Sequence, residues 1–341
     1  MLQITTTKLF PGLLVLTLLA FPACRYIDED VRDCVPVPPP EFTMDYELQL
    51  VTNVTTEIET ELKLETDVAV STALKTYLKD VFTDRAHDVD LSFYDVEGDM
   101  PRLHHERHIM DANQTSYTLN IPVHRYLHLG LANLESNTVL SLENDQTGPG
   151  SRLQQQLADT LPPHRQGVFT ARLPMDVKQG EDQEFKVNLF MANSAASIVL
   201  DTLDSKVKDI RVYATGFATA FDVADSVYRY QYSPIMGTDK VEVDGPDAQL
   251  CFVTVAFPSR MPETKADEQK QTYWEFRVYS TLPDGSITET RLSFTRPLYP
   301  AQLEVIKAKV YPNGSLEPDD TTVGVNVSLD WNPGMEHEIV L

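Results

Sequence analysis

The feature that most constrains the fold is an alternation of apolar and polar residues that recurs along most of the chain. It is clearest near the start, where Phe42, Met44, Tyr46, Leu48 and Leu50 alternate with polar residues. Successive side chains of a β-strand point to opposite faces, so this period of two predicts a strand with one face on a core and one in water. The same pattern predicts strands at 89–93, 117–123, 127–131, 169–173 and 185–191. Half-buried strands of this kind are typical of antiparallel sheets.

A second set of apolar segments predicts further strands in the C-terminal half. These segments are 196–202, 210–221, 250–257, 274–281, 286–295, 303–311, 323–331 and 338–341. Pro283-Asp284-Gly285 and Pro312-Asn313-Gly314 lie between such segments and predict tight turns. Helical patterns are short and are confined to 71–81 and 151–158. Many strands without regular strand and helix alternation predict an all-β fold built of antiparallel β-sandwiches with short helical excursions.

The length of the chain predicts two such sandwiches in tandem. A chain of 341 residues with 42% hydrophobic residues exceeds what one small core needs and suits two domains. We place the boundary near Asn193, which gives an N-terminal β-sandwich domain at 42–192 and a C-terminal one at 193–341.

The first 23 residues have the pattern of an export signal. Lys8 is their only charge, and the apolar stretch that follows is too short for a transmembrane helix. The small residue Ala23 directly precedes Cys24, as the processing site of bacterial lipoproteins requires. The sequence therefore predicts a signal peptide at 1–23 and lipidation of Cys24; the alternative is ordinary cleavage near Ala23, with Cys24 left as a plain thiol. Because each buried methylene group contributes about 0.8 kcal/mol, two or three acyl chains would hold a folded domain on a membrane.

Residues 24–41 are predicted to form an acidic and proline-rich linker. Asp28, Glu29, Asp30 and Asp33 follow the cysteine, and prolines dominate 35–40. The whole chain has a formal net charge of −23. Such a chain repels phosphate backbones, and no basic stripe interleaved with aromatic residues is present, so the sequence argues against nucleic-acid binding.

Taken in order, these parts resemble the fimbrial anchor family of Bacteroidetes, the accessory lipoproteins of type V pili. The resemblance is carried by Cys24, by the acidic stretch that ends in Asp33-Cys34, and by the proline-rich spacer. It is also carried by a strand at 89–98 that runs into an acid and a glycine, by a core strand at 126–134, and by a closing strand pair around 330–331 and 337–341. Acids beside the anchor are similar to the signal that moves lipoproteins of these bacteria to the outer face of the outer membrane. The chain departs from the family at 191–198, where the family usually has an arginine.

The resemblance implies two transthyretin-like, or immunoglobulin-like, β-sandwich domains and a role at the base of a fimbrium. It implies a protein that is lipid-anchored in the outer membrane, exposed at the cell surface, and partnered by the fimbrial shaft subunit. Fibres of this kind assemble by strand addition, so the strands at 323–331 and 338–341 become candidates for the contact. The side chains that would fill pockets of the partner are Val323, Val325, Val327, Leu329 and Trp331. The alternative is that both are ordinary core strands of the second domain.

Two other functions stay open at this stage. A glycan-binding surface lipoprotein of a nutrient-uptake system would be tethered in the same way, but it would need exposed aromatic residues. Trp274 and Trp331 instead lie on alternating apolar faces. A stalk or tip fimbrillin would lose its N-terminal strand to a protease, and Arg25 and Arg32 are candidate cleavage sites.

No motif predicts catalysis, a cofactor or a metal. His104, Glu106 and His108 share a strand face, but the zinc-protease helix motif needs two histidines four residues apart, and His105 and His108 are one residue short. We interpret this segment as a solvated polar strand face. His124 and His128, in neighbouring predicted strands, are interpreted in the same way.

The two remaining cysteines are predicted to be free thiols. Cys34 lies in the linker and Cys251 lies in an apolar strand, so a disulfide between them would require the linker to dock on the distant domain. We expect Cys251 to behave as a small buried hydrophobic residue.

Overall fold

The computed structural model describes residues 41–50, 68–83, 86–109, 116–135, 137–181, 183–230, 234–244, 249–262, 271–320 and 323–331. Within β-strands, the side chains of residues 42, 49, 50 and 328–331 also lie outside the description. The predicted signal peptide, Cys24, the linker with Cys34, and the predicted strand at 338–341 fall outside the described residues.

Most of the described chain is β-strand, as the alternation of apolar residues predicts. The helix α1 spans Val68–Leu78. The strands are β1 Glu41–Leu50, β2 Asp88–Asp95, β3 Arg102–Ile109, β4 Ser116–Pro122, β5 Arg125–Ala132, β6 Leu140–Glu143, β7 Arg152–Gln155, β8 Thr160–Leu161, β9 Phe169–Asp176, β10 Glu184–Met191, β11 Ser194–Asp201, β12 Asp209–Thr215, β13 Ala220–Asp222, β14 Val227–Arg229, β15 Ile235–Gly237, β16 Asp239–Val241, β17 Gln249–Ala256, β18 Trp274–Thr281, β19 Ile287–Phe294, β20 Leu303–Val310, β21 Leu316–Pro318 and β22 Gly324–Trp331.

The described strands form four sheets. A seven-stranded sheet has the order β3-β2-β5-β9-β10-β1-β4, and a five-stranded sheet has the order β16-β17-β11-β20-β21. A six-stranded sheet has the order β22-β19-β18-β12-β15-β8, and a four-stranded sheet has the order β14-β13-β7-β6. Most pairs are antiparallel, while β1 pairs with β10, β11 with β20, and β8 with β15 in parallel. The predicted fold class, all-β with packed sheets and a short helix, is confirmed.

The five-stranded sheet is buried on both faces. One face, with Ile198 on β11, joins Val212 and Phe276 of the six-stranded sheet in one apolar core. The other face, with Val199, joins a second core that holds Leu74 of α1 and the inner face of the seven-stranded sheet. The strand β11 accordingly lacks alternation: it is buried at every position from Ser194 to Leu200. Strands covered on both sides have continuous apolar runs for this reason.

The seven-stranded sheet curls so that its two edge strands approach each other. His108 on β3 and Tyr117 on β4 have ring centroids 4.8 Å apart, although these strands lie at opposite ends of the sheet order. The outer face of the sheet is covered by the four-stranded sheet, where Leu129 of β5 joins Leu153 and Phe221 in a third apolar core. The curled sheet and its cover give this half of the chain a sandwich-like core.

The predicted turns are confirmed. Gly285 has a φ of +89° and Gly314 a φ of +79°, values that favour glycine. The amide of Leu282 donates to the carbonyl of Ser286 at 2.8 Å, and the amide of Tyr311 donates to the carbonyl of Ser315 at 2.9 Å. Each turn closes a hairpin at the predicted place.

Two predictions about local structure are wrong. The segment 151–158, predicted as a helical turn, contains β7, because Leu153 is fully buried and β7 pairs with both β6 and β13. The single strand predicted at 210–221 is divided into β12 and β13 by Gly216, whose φ is +96°. The helix predicted at 71–81 is present as α1, which begins three residues earlier.

Asn193, at the predicted domain boundary, forms hydrogen bonds to three other segments of the chain. The Asn193 side chain accepts a hydrogen bond from the amide of Val168 at 2.6 Å and lies 2.7 Å from Nδ1 of His164. The Asn193 carbonyl accepts from the amide of Ala301 at 2.7 Å. Strands from both sides of this residue share the four-stranded and six-stranded sheets. The division into domains at 42–192 and 193–341 stays a prediction.

Candidate partner-binding edge

The strand β22 lies at one edge of the six-stranded sheet and pairs on its other side with β19. Their antiparallel register places Val325 opposite Leu292 and Val327 opposite Thr290. Because directly opposed residues share a sheet face, both valines are on the same face as Leu292, which is fully buried in the core. The main-chain groups along the outer side of an edge strand are available to pair with another strand.

The side chains of β22 that face the core are not fully covered by it. Val325 is 45% exposed and Val327 is 37% exposed, whereas Val323, just before the strand, is only 7% exposed. Asn326, on the opposite face, is exposed too. The edge of the sheet therefore presents two apolar side chains and, between them, a polar one.

The five contact residues predicted from the sequence do not share one environment in the structure. Val325 and Val327 lie together on the exposed edge, and Val323 is packed at its beginning. The backbones of Leu329 and Trp331 continue the strand, but their side chains lie outside the description. Among the described residues this segment pairs with β19, and the described part of the sheet ends at β22. The role of these five residues in partner binding stays a prediction.

The N-terminal strand β1 is fixed by a buried hydrogen-bond chain that the sequence analysis missed. The hydroxyl of Tyr46 donates to Nε2 of His128, and Nδ1 of His128 donates to the carbonyl of Ser92 at 3.0 Å. The ring of His128 stacks on Phe93 with centroids 4.5 Å apart. Burial raises the pKa of Tyr46 well above its usual value, so the phenol keeps its proton. The sequence did contain an indication that His128 is buried, since leucines flank it on both sides in a strongly apolar strand.

The interpretation of His128 as solvated is therefore wrong. Its side chain is completely buried because β5 is covered on both faces, by the core on one side and by the four-stranded sheet on the other. His124, which was predicted to lie in a strand, lies in the turn between β4 and β5, with Nε2 3.3 Å from the carboxylate of Asp95.

The histidine cluster of β3 forms hydrogen bonds within the strand. Nε2 of His104 and Nε2 of His108 lie 2.6 Å and 2.8 Å from the two carboxylate oxygens of Glu106. Burial acts to raise the pKa of Glu106, but the hydrogen bonds from both histidines outweigh it and the pKa lies below its usual value. The three side chains share a face, as predicted, and are about three-quarters buried, so the face is less solvated than expected.

His105, on the other face of β3, contacts the carboxylate of Asp90 at 2.8 Å. Among the described residues, no group of histidine, cysteine and acidic side chains has a geometry that could hold a metal ion. Within the same part of the chain, no helix combines the length and the hydropathy that a bilayer crossing needs.

Two predicted core residues are confirmed. Cys251 is a fully buried free thiol whose Sγ lies 3.4 Å from the hydroxyl of Ser197, and burial raises its pKa to about 11. Trp274 is 2% exposed and stacks on Phe294 with centroids 3.8 Å apart. Trp274 therefore cannot belong to an exposed sugar-binding platform.

The buried histidines make stability depend on pH. Burial lowers the pKa of His128 to about 4 and that of His164 to about 3. In the unfolded chain both histidines bind a proton below about pH 6.5. In the folded chain His128 binds a proton only near pH 4 and His164 only near pH 3. Their contribution to stability is thus complete above pH 6.5 and is lost as the pH falls toward 4. We expect each histidine to steepen this loss by up to about 1.4 kcal/mol per pH unit.

Urea unfolding between pH 7.5 and pH 4.5 measures this slope. The substitution His128→Gln should reduce the slope by close to one proton, and His87→Gln, at an exposed position, serves as the matched control. Equal slopes for His128→Gln and the unsubstituted protein would contradict the assignment.

Comparison with known proteins gives likeness in structure only. No family model matches the sequence, and no curated protein matches it. A "putative adhesin" from Bacteroides ovatus superposes with a TM-score of 0.54 at 10% identity, covering 86% of this chain and 98% of that one. A "putative polysaccharide binding" protein from Bacteroides thetaiotaomicron gives 0.49 at 10% identity, covering 83% and 97%. The fimbrial anchor protein Mfa2 from Porphyromonas gingivalis gives 0.48 at 8% identity, covering 84% and 98%.

These matches concern the fold. The likeness to the Bacteroides ovatus protein extends over most of both chains and confirms the all-β architecture. The similar structure from Bacteroides ovatus is named a putative adhesin, and other similar structures are named adhesins, fimbrial proteins or a polysaccharide-binding protein. The predicted resemblance to such proteins is confirmed at the level of the fold.

Proposed function

We propose that this protein is a non-enzymatic lipoprotein of the outer membrane, acylated at Cys24, that anchors or initiates a fimbrium at the cell surface. The observation that carries the proposal is the exposed sheet edge at β22, with Val325 and Val327 on its core side. The shared fold with the Bacteroides ovatus protein supports a surface role of this class.

An exposed, paired edge strand suits contact by strand addition. A strand from the first shaft subunit would continue the six-stranded sheet beyond β22 through main-chain hydrogen bonds, and alternate side chains would provide specificity. Proteins usually protect such edges with charges or prolines, since an open edge invites aggregation. The strand β22 contains no proline and a single charged residue, Asp330, near its end. Covering Val325 and Val327 would also bury apolar surface that is now in water.

The opposite end of the chain would provide the membrane attachment. Cys24 precedes β1 in the sequence, and β1 is an interior strand of the seven-stranded sheet, between β10 and β4. Its alternate side chains Met44, Tyr46 and Leu48 are buried in the core. A lipid on Cys24 would thus be linked to a strand that the fold holds firmly, while β22 stays available for the shaft.

The double substitution Val325→Asp with Val327→Asp tests the contact. Both valines are substantially exposed, so we expect the variant to fold and to stay in the envelope fraction. Fimbriae should be released into the medium, because two desolvated carboxylates would disrupt the interface. The measurement is the ratio of cell-bound to released fimbriae, by immunoblotting and electron microscopy. A matched control is Val227→Asp, since Val227 is 42% exposed on β14 at the edge of another sheet.

Fimbriae that stay attached in normal number and length with the double variant would count against this edge. Deletion of 321–341 should give the same loss of attachment. Mass spectrometry of the native N-terminus tests the other end: an acylated Cys24 supports the anchor, whereas an N-terminus within 33–60 would favour a stalk or tip subunit.

A further inference from the structure

An open groove lies where the edge strand β14 of the four-stranded sheet meets the outer face of the seven-stranded sheet. We name it the Phe190 groove, after an exposed residue of β10 that lines it. The seven-stranded sheet also contributes Arg172 and Pro174 on β9, and the four-stranded sheet contributes Phe221 on β13 and Tyr228 on β14. The volume of the groove, about 510 Å³, is within the range of pockets that hold small molecules.

Most of the Phe190 groove is apolar. Phe190 alternates with Leu189 and Met191, which are buried in the core, so its ring is on the opposite face of the sheet and is 57% exposed. On the four-stranded sheet, the rings of Phe221 and Tyr228 pack together with centroids 4.7 Å apart. An apolar ligand between these surfaces would remove aromatic area of both sheets from water, which is favourable.

Arg172 gives the groove a positive charge. Of the described residues that line the groove, Arg172 alone is charged. Its side chain is exposed and forms neither an ion pair nor a hydrogen bond with any other described residue. Within the sheet it is opposite Leu129, and Asp176, at the end of the same strand, is opposite Arg125. The guanidinium group of Arg172 can therefore be reached from solvent, and its donors are unused within the described chain.

Two acidic residues of the adjoining four-stranded sheet do not compensate Arg172. Asp222 on β13 is buried and already pairs with Arg152 and Arg229. Asp225, in the turn before β14, is exposed and is not among the described residues that line the groove. In a chain with a net charge of −23 most of the surface repels anions, so a free arginine in a groove without acids is a distinctive site for one.

We propose that the Phe190 groove binds an amphiphilic monocarboxylate, a molecule that combines one carboxylate with an apolar chain, such as a fatty acid. A guanidinium group binds a carboxylate through two parallel hydrogen bonds, which Arg172 has free. The apolar chain would lie against Phe190 and the aromatic pair of Phe221 and Tyr228, and would take their exposed surface out of water. This ligand is independent of the fimbrial contact, which uses the edge of a different sheet.

A polysaccharide is a poorer match for this groove. A sugar carries hydroxyl groups around its ring, and each one that leaves water needs a hydrogen-bond partner. Apart from Arg172, the described polar side chains of the groove are those of Thr170, Ser226 and Tyr228. The Tyr228 hydroxyl is already used, since it donates to the carbonyl of Ala192 at 3.0 Å. An acidic protein is also a poorer match, because its remaining carboxylates would be repelled by the net charge of the chain.

Decanoate and decan-1-ol have the same chain length and differ in charge, so their titration into the full chain, followed by ligand-observed NMR, tests the proposal. Decanoate should bind more tightly. Arg172→Gln should weaken decanoate binding about tenfold, the effect of losing one charged hydrogen-bonded contact, and should leave decan-1-ol binding unchanged. Phe190→Ala should weaken binding of both about fivefold, because half of a phenylalanine side chain is no longer covered. Arg125→Gln and Ile109→Ala, at exposed positions elsewhere on the same sheet, are the controls and should bind normally.

Four results would overturn the proposal. The first is that decanoate does not bind, and the second is that decan-1-ol binds as tightly as decanoate does. The third is that Arg172→Gln binds decanoate normally, which would place the ligand elsewhere. The fourth is that polyglutamate displaces decanoate at an equal concentration of carboxylate groups, which would identify the groove as a site for acidic proteins. None of these results depends on whether Val325 and Val327 contact a fimbrial subunit.

Discussion

Replacing Tyr46 by alanine is expected to lower the free energy of unfolding by about 3–5 kcal/mol, the range for removing a large aromatic side chain from a core. Tyr46 is completely buried on β1, and its hydroxyl donates to Nε2 of His128. Because the tautomer of His128 is fixed by its hydrogen bond to the Ser92 carbonyl, Nε2 would be left as a buried acceptor with no donor.

The milder substitution Tyr46→Phe separates packing from hydrogen bonding. It keeps the ring, so the expected loss is about 1–3 kcal/mol, the cost of leaving one buried polar group unpaired. Tyr299→Phe is the control, since Tyr299 is 39% exposed. The free energies of unfolding in urea are compared for the unsubstituted protein, Tyr46→Ala, Tyr46→Phe and Tyr299→Phe. Equal stability of Tyr46→Phe and the unsubstituted protein would mean that the hydrogen bond contributes nothing net.

This prediction connects the core to the proposed anchor. The strand β1 is the first described element after Cys24, and it pairs in parallel with β10 through residues 45–50. Its buried side chains, Tyr46 among them, also hold it against the core. A variant with a weakened β1 should therefore weaken the connection between the proposed lipid on Cys24 and the folded domain, beyond its loss of stability.

The strands that the sequence predicted best are those with one wet face. The segment 274–281 alternates strictly, and β18 has the predicted bounds with alternating burial. The local sequence pattern was sufficient there because alternate side chains face either the core or the solvent. Gly285 and Gly314 were predictable for a similar local reason, since their turns need a positive φ.

Prediction was weaker where strands meet distant partners. Nothing local indicates that β7 pairs with β13, about seventy residues later, and the short run after Ser151 fits a helical turn as well. The buried state of His128 depends on two covering layers from other parts of the chain. A histidine between leucines was the available signal, and only the assembled sheets establish its meaning.

The candidate partner-binding edge was predictable only in part. Alternation marked Val325 and Val327 as the apolar side of their strand, and the resemblance to the fimbrial anchor family made that strand a candidate contact. The sequence does not specify that β22 pairs with β19 and ends the described part of its sheet. Register between strands is a property of the folded sheet.

Gly216→Ala is expected to destabilise the protein by about 2–5 kcal/mol, the sum of a left-handed backbone cost of about 1–2 kcal/mol and overpacking of about 1–3 kcal/mol. Gly216 has a φ of +96°, and a Cβ there would lie 2.4 Å from the carbonyl oxygen of Tyr273 and 2.7 Å from Cα of Trp274. Both atoms belong to the backbone, so neither can rotate away. The Gly216 carbonyl also accepts a hydrogen bond from the amide of Arg260 at 3.0 Å.

Gly285→Ala is the matched control for this substitution. Gly285 has a φ of +89°, close to that of Gly216, but nothing lies within 4 Å of a Cβ built on it. It should therefore cost only the backbone part, about 1–2 kcal/mol. The difference between the two variants in urea unfolding measures the steric part alone, and equal losses would show that the backbone near Tyr273 moves aside.

The expected position of the damage links this glycine to the proposed partner-binding edge. Gly216 directly follows β12 beside the start of β18, where Trp274 stacks on Phe294 of β19. A shift of β18 would pass to β19 and from there to β22 at the edge. Gly216→Ala should consequently lower both the stability of the protein and fimbrial attachment, whereas Val325→Asp with Val327→Asp should affect attachment alone.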